Sequence, residues 1–319
     1  MVSPDRFAQA NQYGYEPAVG HKHSATGVHT VRDLNYQLKR LCYDNRQGSE
    51  STQAARRYIL NQVADQLREM GYRGMSARSL KPKHVEALVE RWMQQELSTG
   101  TIKNRMNALR WWAARVDRSN VVARSNDYYG IPNRSFVSQS SKAREIGGEQ
   151  LAQIKDVHVA MSLQLQRAFG LRREEAIKFM PSYADQGDHV RLKRSWTKGG
   201  KPRLIPIRTD DQRNLLQQAH RLAGKGSLIP SSKNYVQQLH TYERLTSRAG
   251  LSKLHGLRHA YAQARYQELT GWLPPNAGGP ARSALTNEQR AIDERSRLTV
   301  SEELGHGRIE ITSVYLGVG

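Results

Sequence analysis

Cysteine and long apolar runs are nearly absent from this sequence. Cys42 is the only cysteine in 319 residues, so an intrachain disulfide is excluded, and the chain suits a reducing compartment. No apolar run approaches the ~20 residues that span a bilayer. The N-terminus also lacks the basic-then-apolar pattern of a signal peptide. We therefore expect a soluble, cytoplasmic protein without a membrane partner.

Acidic residues are few compared with basic ones. The chain has 49 Lys and Arg against 29 Asp and Glu, which gives a formal net charge of +20. Such an excess favours a phosphate polymer as partner, because each neutralised phosphate releases a counterion. An anionic membrane is the alternative, but we find no basic stretch with a broad apolar face and no lipidation motif. Nucleic acid is therefore the expected partner, and a nucleoid-associated location follows.

Hydrophobic periodicity divides the chain into four regions. Residues 1–27 are polar and predict a flexible arm. Residues 28–118 carry apolar stripes at helical spacing and predict an all-helical domain. Residues 119–145 are rich in Ser, Asn and Arg and predict a linker. Residues 146–319 predict a second domain that is helical apart from one hairpin, so the fold class is mainly α with a small β-sheet.

Basic side chains cluster at two places where we expect DNA contacts. One is the outer face of the helical segment "STGTIKNRMNALRWWAARV", for which Ser98 and Thr99 are capping candidates. The other is "HVRLKRSWTKGGKPRLIPIR", which has two strand-like runs around a Gly-Gly turn. Ordinary solvated charge is the alternative at both places. The predicted DNA-contacting residues are Lys103, Arg105, Arg110, Lys201 and Arg203.

Two short motifs combine an arginine with a possible partner. In "GLRREEA", Arg172 and Glu175 are three residues apart and share one face of a helix, where a surface ion pair is the simple interpretation. In "LHGLRHAYA", His255 and Arg258 have the same spacing and can point at one target. His259 raises the question of a zinc site. The zinc-protease pattern, however, needs Glu directly after the first His, where this chain has Gly.

A histidine and a tyrosine lie close to the C-terminal end, in "LGHGRIEITSVYLG". His306 and Tyr315 are nine positions apart, or about 900° on a straight helix, so they would face opposite ways. They can meet only if the chain bends, and Gly305 and Gly307 are the expected bend. The alternative is a helix end followed by a tyrosine that only packs.

Together these residues match the needs of phosphoryl transfer on DNA without a metal ion. Guanidinium groups can bind the non-bridging oxygens and offset the charge of the transition state. A tyrosine hydroxyl can attack phosphorus, a lysine can protonate the leaving oxygen, and histidines can move the tyrosine proton. The sequence shows no acidic cluster of the kind that binds two metals, so no metal or other cofactor is expected.

The four motifs, in this order, resemble those of the tyrosine recombinase (phage integrase) family. They are "GLRREE", "TKGGKPRLIPI", "LHGLRHAYA" and "ELGHGRIEITSVYL", and the helical first half resembles the family's core-binding domain. The resemblance implies a C-shaped clamp made of that helical domain and a mixed α/β catalytic domain. By position, Arg172 and Arg258 would clamp the scissile phosphate, Tyr315 would be the nucleophile, and Glu175 would brace the arginine site.

The resemblance also implies the remaining roles and the partners. Lys198 would be the general acid, with Lys201 less favoured. His255 would assist proton transfer and His306 would support the phosphate. A homotetramer on two double-stranded DNA sites, working through a 3′-phosphotyrosine and without ATP or metal, is the expected assembly. DNA-bending accessory proteins are further candidate partners.

Two features depart from the family pattern. The Pro- and Gly-rich stretch 270–283 indicates an insertion, which would touch DNA, a neighbouring subunit, or only solvent. Only four residues follow Tyr315, so we expect assembly to use surfaces other than a long C-terminal tail. The favoured function is that of a phage or mobile-element integrase. The alternatives are a type IB topoisomerase-like enzyme and a non-catalytic DNA-binding relative.

Overall fold

The computed structural model describes residues 33–133, 140–306 and 309–318. The chain divides into two compact units between residues 134 and 135. The predicted arm at 1–27 lies outside the described residues. Across the three described ranges, no helix combines the length and the apolar character needed to cross a membrane.

Helices build the first unit. Local capping explains where several begin: the Ser49 hydroxyl accepts from the Thr52 backbone N–H, Ser98 does the same for Thr101, and Pro82 opens its helix at the first turn. The capping role predicted for Ser98 is therefore confirmed. The helices are α1 (Asp33–Asp44), α2 (Glu50–Glu69), α3 (Pro82–Gln94) and α4 (Thr99–Arg115).

Two tryptophans lie at the centre of the first core. Trp92 and Trp112 are fully buried, and each indole N–H has a partner, from Trp92 to Gln66 Oε1 and from Trp112 to the Ala77 carbonyl, both at 2.8 Å. Burying an indole costs little when its one donor is satisfied, so both rings add their full apolar area to the core.

The segment predicted as a linker, 119–145, is largely part of the two units. Val121, Val122 and Ile131 are buried in the first core, and the Ala123 backbone N–H donates to the Tyr129 hydroxyl at 2.9 Å. The prediction of an extended linker is thus wrong up to residue 133. A few apolar side chains at irregular spacing anchor the segment, and such spacing leaves no periodic signal in the sequence.

The second unit contains helices around a two-stranded antiparallel sheet. Strand β1 (His189–Leu192) pairs with β2 (Arg203–Pro206), with His189 opposite Pro206 and Leu192 opposite Arg203. The predicted hairpin exists, but its connection runs from residue 193 to 202 and is not a two-residue turn. The helices of the second unit are α5 (Gly148–Ala152), α6 (Val157–Phe169), α7 (Arg173–Ile177), α8 (Pro181–Ala184), α9 (Asp210–Ala223), α10 (Tyr235–Arg248), α11 (Gly256–Thr270), α12 (Asn287–Glu303) and α13 (Ile309–Leu316).

Helix α11 is the central support of this unit. It packs against α6 on one side and against α12 and α13 on the other, and Leu257 and Ala262 along it are fully buried. Its first residue, Gly256, accepts a hydrogen bond at its carbonyl from the Arg144 backbone N–H. A Cβ at Gly256 would lie only 2.3 Å from Arg144 Cγ. The start of α11 is therefore packed against residue 144, near the beginning of the second unit.

Candidate active site

Arg172 and Glu175 begin the site at the first turn of α7. Arg172 is the N-cap residue, and its backbone N–H donates to Glu175 Oε2 at 2.7 Å while its guanidinium donates to Oε1 at 2.8 Å. Glu175 is fully buried, whereas the Arg172 side chain keeps 22% of its exposure. A surface ion pair is therefore excluded, and the buried carboxylate holds an arginine that still reaches solvent.

Arg203 is the second arginine on the same carboxylate. It donates to Glu175 Oε1 at 2.7 Å and to Oε2 at 2.6 Å, and its Nε donates to the Glu303 carbonyl at 2.9 Å. Its side chain is only 3% exposed. The side chain of Arg203, which the sequence predicts to contact DNA, thus lies inside the protein on Glu175. The alternation of β2 turns it inward, because Leu204 between two buried residues takes the exposed face.

The Glu175 carboxyl remains ionised inside this cluster. Burial raises its pKa, but the hydrogen bonds and charge of Arg203, with the charges of Arg172 and Arg258, outweigh burial and bring the pKa down to about 2. A permanent negative charge at this point offsets the repulsion between neighbouring guanidiniums. Three arginines can therefore be packed together before any phosphate is present.

Arg258 lies at the start of α11 and is 1% exposed. Its Nη1 donates to the Gly170 carbonyl at 2.5 Å, and its Nη2 donates to the Leu304 carbonyl. Arg172 Nη2 also donates to that Leu304 carbonyl, at 3.4 Å. Two guanidiniums from distant parts of the chain thus converge on one oxygen. Burial, with the charges of Arg203 and Arg172, lowers the pKa of Arg258 to about 10.

Tyr315 contacts Arg258. Its hydroxyl lies 3.4 Å from Arg258 Nε and 3.2 Å from His255 Nε2, and the residue is 5% exposed. His306 stacks on the Tyr315 ring with centroids 5.1 Å apart and an interplanar angle of 28°. The predicted bend is present at Gly305, which has φ +65°. Gly307, the other predicted bend residue, lies outside the described residues.

Position 305 also has too little space for any side chain, so it requires glycine. A Cβ at this position would lie 2.8 Å from Arg203 Cδ, so the turn passes directly over the buried arginine. The backbone at Gly305 therefore packs against the arginine that Glu175 binds.

Three histidines surround the tyrosine, and burial lowers the pKa of each. For His255, the charges of Arg258 and Arg172 act in the same direction. For His306, burial and the same two arginines bring the pKa to about 3. For His259, burial and the neighbouring His255 bring it to about 4. All three imidazoles are therefore neutral near pH 7 and keep a nitrogen lone pair.

His259 is a residue whose place in the site the sequence analysis missed. Its ring lies 4.5 Å from that of Tyr315 and 5.5 Å from that of His255, and its Nδ1 has no hydrogen-bond partner within the described part of the chain. Its spacing from His255 had suggested only a metal ligand. Within the described ranges, no group of three or more His, Cys, Asp or Glu side chains is arranged to hold a metal ion.

The predicted DNA-contacting residues of α4 have different environments. Arg110 donates to the Ala123 carbonyl at 3.0 Å and to Asn126 Oδ1 at 2.7 Å, and Arg105 stacks over Trp92 at 5.2 Å. Burial lowers the pKa of both guanidiniums. These two side chains therefore make contacts inside the first unit. The segment after α4 and the helix α3 cover the face of α4 that the sequence pattern predicted to be exposed. Lys103 is half-buried, with its Nζ 3.3 Å from Asn133 Oδ1.

The hairpin connection carries the two remaining lysines. Lys198 opens a short 3-10 turn, Lys198–Gly200, in which Gly199 and Gly200 have φ of +78° and +65°. The side chain of Lys198 lies outside what the structure describes, so its role stays a prediction. Lys201 is exposed just before β2. Of the six predicted catalytic side chains, the structure brings together Arg172, His255, Arg258, His306 and Tyr315.

Comparisons with known proteins identify the family and the fold. The family model described as the N-terminal domain of phage integrases matches residues 31–122, and the model described as Integrase matches residues 134–264. Among solved structures, the XerH site-specific recombinase in a post-cleavage complex is 17% identical with a TM-score of 0.54, over 88% of this chain and 80% of that one. No curated protein matches the chain.

Two further solved structures share the fold. A lambda integrase tetramer bound to a Holliday junction is 13% identical with a TM-score of 0.55, over 88% of this chain and 76% of that one. The Tn1549 transposon integrase with transposon right-end DNA is 13% identical with a TM-score of 0.54, over 90% and 95%. With two family models matched in order over well over half of its length, the chain belongs to the phage integrase family of tyrosine recombinases, site-specific recombinases that cleave and rejoin DNA.

Proposed function

We propose that this protein is the integrase of a phage or mobile element, and that Tyr315 cuts and rejoins DNA through a 3′-phosphotyrosine link. One observation carries the proposal. The Tyr315 hydroxyl lies within hydrogen-bond distance of both Arg258 Nε and His255 Nε2, at 3.4 and 3.2 Å. A nucleophile, a cation for the phosphate and a proton acceptor therefore share one point.

The chemical step follows from these contacts. Tyr315 Oη attacks the scissile phosphorus, forming an O–P bond while the bond from phosphorus to the 5′-oxygen breaks. The phenol proton passes to His255 Nε2, which is neutral and accepts it. Lys198 gives a proton to the departing 5′-oxygen, so both protons are accounted for. The reverse attack by a 5′-hydroxyl restores the DNA backbone and the free tyrosine, and no external energy source enters.

The arginines stabilise the charge that develops on the phosphate. Arg258 and Arg172 both donate to the Leu304 carbonyl, so their guanidiniums already point to a common region. A phosphate that enters there exchanges weak carbonyl acceptors for anionic oxygens, which strengthens the hydrogen bonds. Glu175 and Arg203 hold Arg172 in place, so little reorganisation is needed during the reaction. His306, stacked on the Tyr315 ring, supplies a further contact near the phosphate.

We also propose the assembly that the family implies, a homotetramer on two duplex sites. The support is the fold shared with a lambda integrase tetramer on a Holliday junction and with the Tn1549 integrase on transposon DNA. The net charge of +20 favours extended phosphate contacts, for which Lys103 and the exposed Lys201 are the candidates. DNA-bending accessory proteins are proposed as additional partners, and the nucleoid in the cytoplasm as the place of action.

A suicide substrate, nicked next to the cut site, tests the nucleophile. Wild type should leave a covalent protein–DNA band, and Tyr315→Phe should leave none while it binds DNA with wild-type affinity. Tyr128→Phe is the matched control, because Tyr128 is 68% exposed in the first unit, and it should give the wild-type band. A covalent band from Tyr315→Phe would refute the proposal. The DNA ends trapped on the wild-type protein would identify the site when sequenced.

A further inference from the structure

We propose that Asn276, in the segment 270–283, positions the nucleophile as one of three donors that cap the C-terminal end of α13. We call Gln263, Asn276 and Arg297 the tail cap. The proposal rests on the proposed role of Tyr315 and deepens it, since it names the groups that set where the tyrosine lies. Asn276 lies in the Pro- and Gly-rich stretch 270–283, for which the sequence alone predicts no contact within the chain.

Helix α13 is too short to be stable without help. It runs from Ile309 to Leu316, and isolated helices of fewer than about 12 residues are marginal in water. A helix end also leaves its last carbonyls without helical partners, and these need other donors when they are buried. Tyr315 lies in the last turn, so its own carbonyl is one of these groups.

The tail cap satisfies these carbonyls. The Tyr315 carbonyl accepts from Asn276 Nδ2 at 2.7 Å and from Gln263 Nε2 at 3.0 Å. The Gly317 carbonyl accepts from Arg297 Nη1 at 3.0 Å. A cation at the C-terminal end of a helix also interacts favourably with the helix dipole. The three donors come from α11, the 275–277 turn and α12, so they fix the helix end from three directions.

Each donor is itself buried and held. Gln263, Asn276 and Arg297 are 8%, 7% and 6% exposed. Gln263 Nε2 lies 3.2 Å from Asn276 Oδ1, and Gln263 Oε1 accepts from the Ser141 hydroxyl at 3.0 Å. Arg297 Nε donates to both carboxylate oxygens of Asp293, at 2.8 and 3.0 Å. Because the three donor side chains are themselves held in place, they fix the position of the end of α13. Mobile donors would satisfy its carbonyls without fixing that position.

The backbone fit supports the same conclusion. Gly317 has φ +84°, and a Cβ there would lie 2.8 Å from the Asn276 backbone nitrogen. The chain after Tyr315 therefore lies directly against the 275–277 turn, with room for glycine only. The segment 270–283 meets the nucleophile helix of its own chain, which gives it a defined contact besides the DNA, subunit or solvent contacts considered above.

Tyr315 links the tail cap to catalysis directly. The carbonyl held by Asn276 and Gln263 and the hydroxyl held by Arg258 and His255 belong to the same residue. A shift of its main chain moves the hydroxyl away from the phosphate site. A misplacement of about 1 Å can cost about 100-fold in rate. Asn276 is thus a positioning residue, which acts on the reaction only through Tyr315.

Asn276→Asp removes the donor, because the carboxylate keeps the shape and the acceptor for Gln263 but repels the Tyr315 carbonyl; Asn276→Ala removes the donor without adding a charge. We expect the single-turnover cleavage rate of Asn276→Asp on saturating suicide substrate to fall roughly 10- to 100-fold, with DNA affinity within about twofold of wild type. Amide hydrogen exchange over 309–318 should be faster than in wild type, with the rest of the second unit unchanged. Asn276→Ala should behave in the same way. Arg297→Lys, which keeps the charge, should lose less of the cleavage rate than the two Asn276 variants.

Asn287→Ala is the matched control, since Asn287 is exposed at the start of α12, and it should cleave at the wild-type rate. The tail cap proposal is overturned if Asn276→Asp cleaves as fast as Asn287→Ala. It is also overturned if the loss of rate is fully explained by weaker DNA binding or by a loss of folded protein at the assay temperature. Hydrogen exchange of 309–318 does not depend on catalysis. Failure of the nucleophile proposal would instead appear as a covalent band from Tyr315→Phe, so the two failures can be told apart.

Discussion

Arg203 and Glu175 form a buried two-point ion pair, with N–O distances of 2.7 and 2.6 Å, between strand β2 and helix α7. The same carboxylate accepts the backbone N–H and the guanidinium of Arg172. One acidic side chain therefore connects the hairpin, the short helix and the turn at Gly305, whose φ of +65° brings it over Arg203. The geometry of the proposed phosphate site depends on this connection.

Glu175→Gln should lower both stability and activity. The amide keeps the shape but leaves Arg203 buried without a counter-charge, which typically costs about 3–5 kcal/mol of unfolding free energy. Glu174→Gln is the control, because its pair with Lys178 is half exposed and should be worth less than about 1 kcal/mol. Urea denaturation of the full chain measures the stability of the two variants, and the covalent band on the suicide substrate measures their activity. Equal midpoints for the two variants would contradict the bridging role of Glu175.

Lys198→Ala should be rescued by sulfur chemistry. If Lys198 protonates the leaving 5′-oxygen, a substrate with a bridging 5′-sulfur should restore cleavage in the variant, because a thiolate leaves without a proton. Lys201→Ala, from the exposed end of the same connection, serves as the comparison; at saturating DNA, where a lost phosphate contact no longer limits binding, it should cleave ordinary DNA at a near-normal rate. If the sulfur substrate rescues only Lys201→Ala, the general acid has been assigned to the wrong lysine.

Stability should fall on mild acidification. Burial lowers the pKa of His259 to about 4 and that of His306 to about 3, whereas an unfolded histidine titrates near ~6.5. Between these values the unfolded chain binds more protons than the folded chain, so stability rises with pH and is lost as pH drops below ~6.5. Melting temperatures from pH 7.5 to 4.5 measure the slope.

His259→Asn should reduce this slope, because asparagine takes up no proton in either state. His240→Asn, at an exposed position of α10, should keep the wild-type slope. A slope in His259→Asn as steep as in wild type would show that other groups govern the acid response.

Gly305→Ala should cost more than an ordinary left-handed glycine. Gly271 has φ +85° with open space around it, so Gly271→Ala should lose only about 1–2 kcal/mol from backbone strain. At Gly305 the new methyl group also meets Arg203, held by Glu175 and the Glu303 carbonyl, and overpacking adds about 1–3 kcal/mol. The unfolding free energy, measured by urea denaturation, and the cleavage rate should both be lower in Gly305→Ala than in Gly271→Ala. Similar losses in both variants would exclude the contact with Arg203.

Much of the local structure followed from the sequence. Helix starts at Ser98 and Pro82 were predictable because capping is decided by neighbouring residues. The helical pattern that opens the second domain is interrupted at 153–156, where the Asp156 side chain accepts from two backbone N–H groups and starts α6. The Asp156 cap favours a new helix start, whereas the apolar spacing favours one continuous helix. The sequence alone does not show which of these two preferences prevails.

The sequence by itself determined the identities and order of the chemical groups: two arginines in their motifs, the histidines, and a tyrosine after a glycine bend. Tertiary structure decided what each group touches. It directed Arg203 to Glu175, placed His259 beside Tyr315, and brought Asn276 to the Tyr315 carbonyl. The physical reason is that spacing along the chain encodes helix faces and turns, whereas contacts between residues tens of positions apart depend on how the whole core packs.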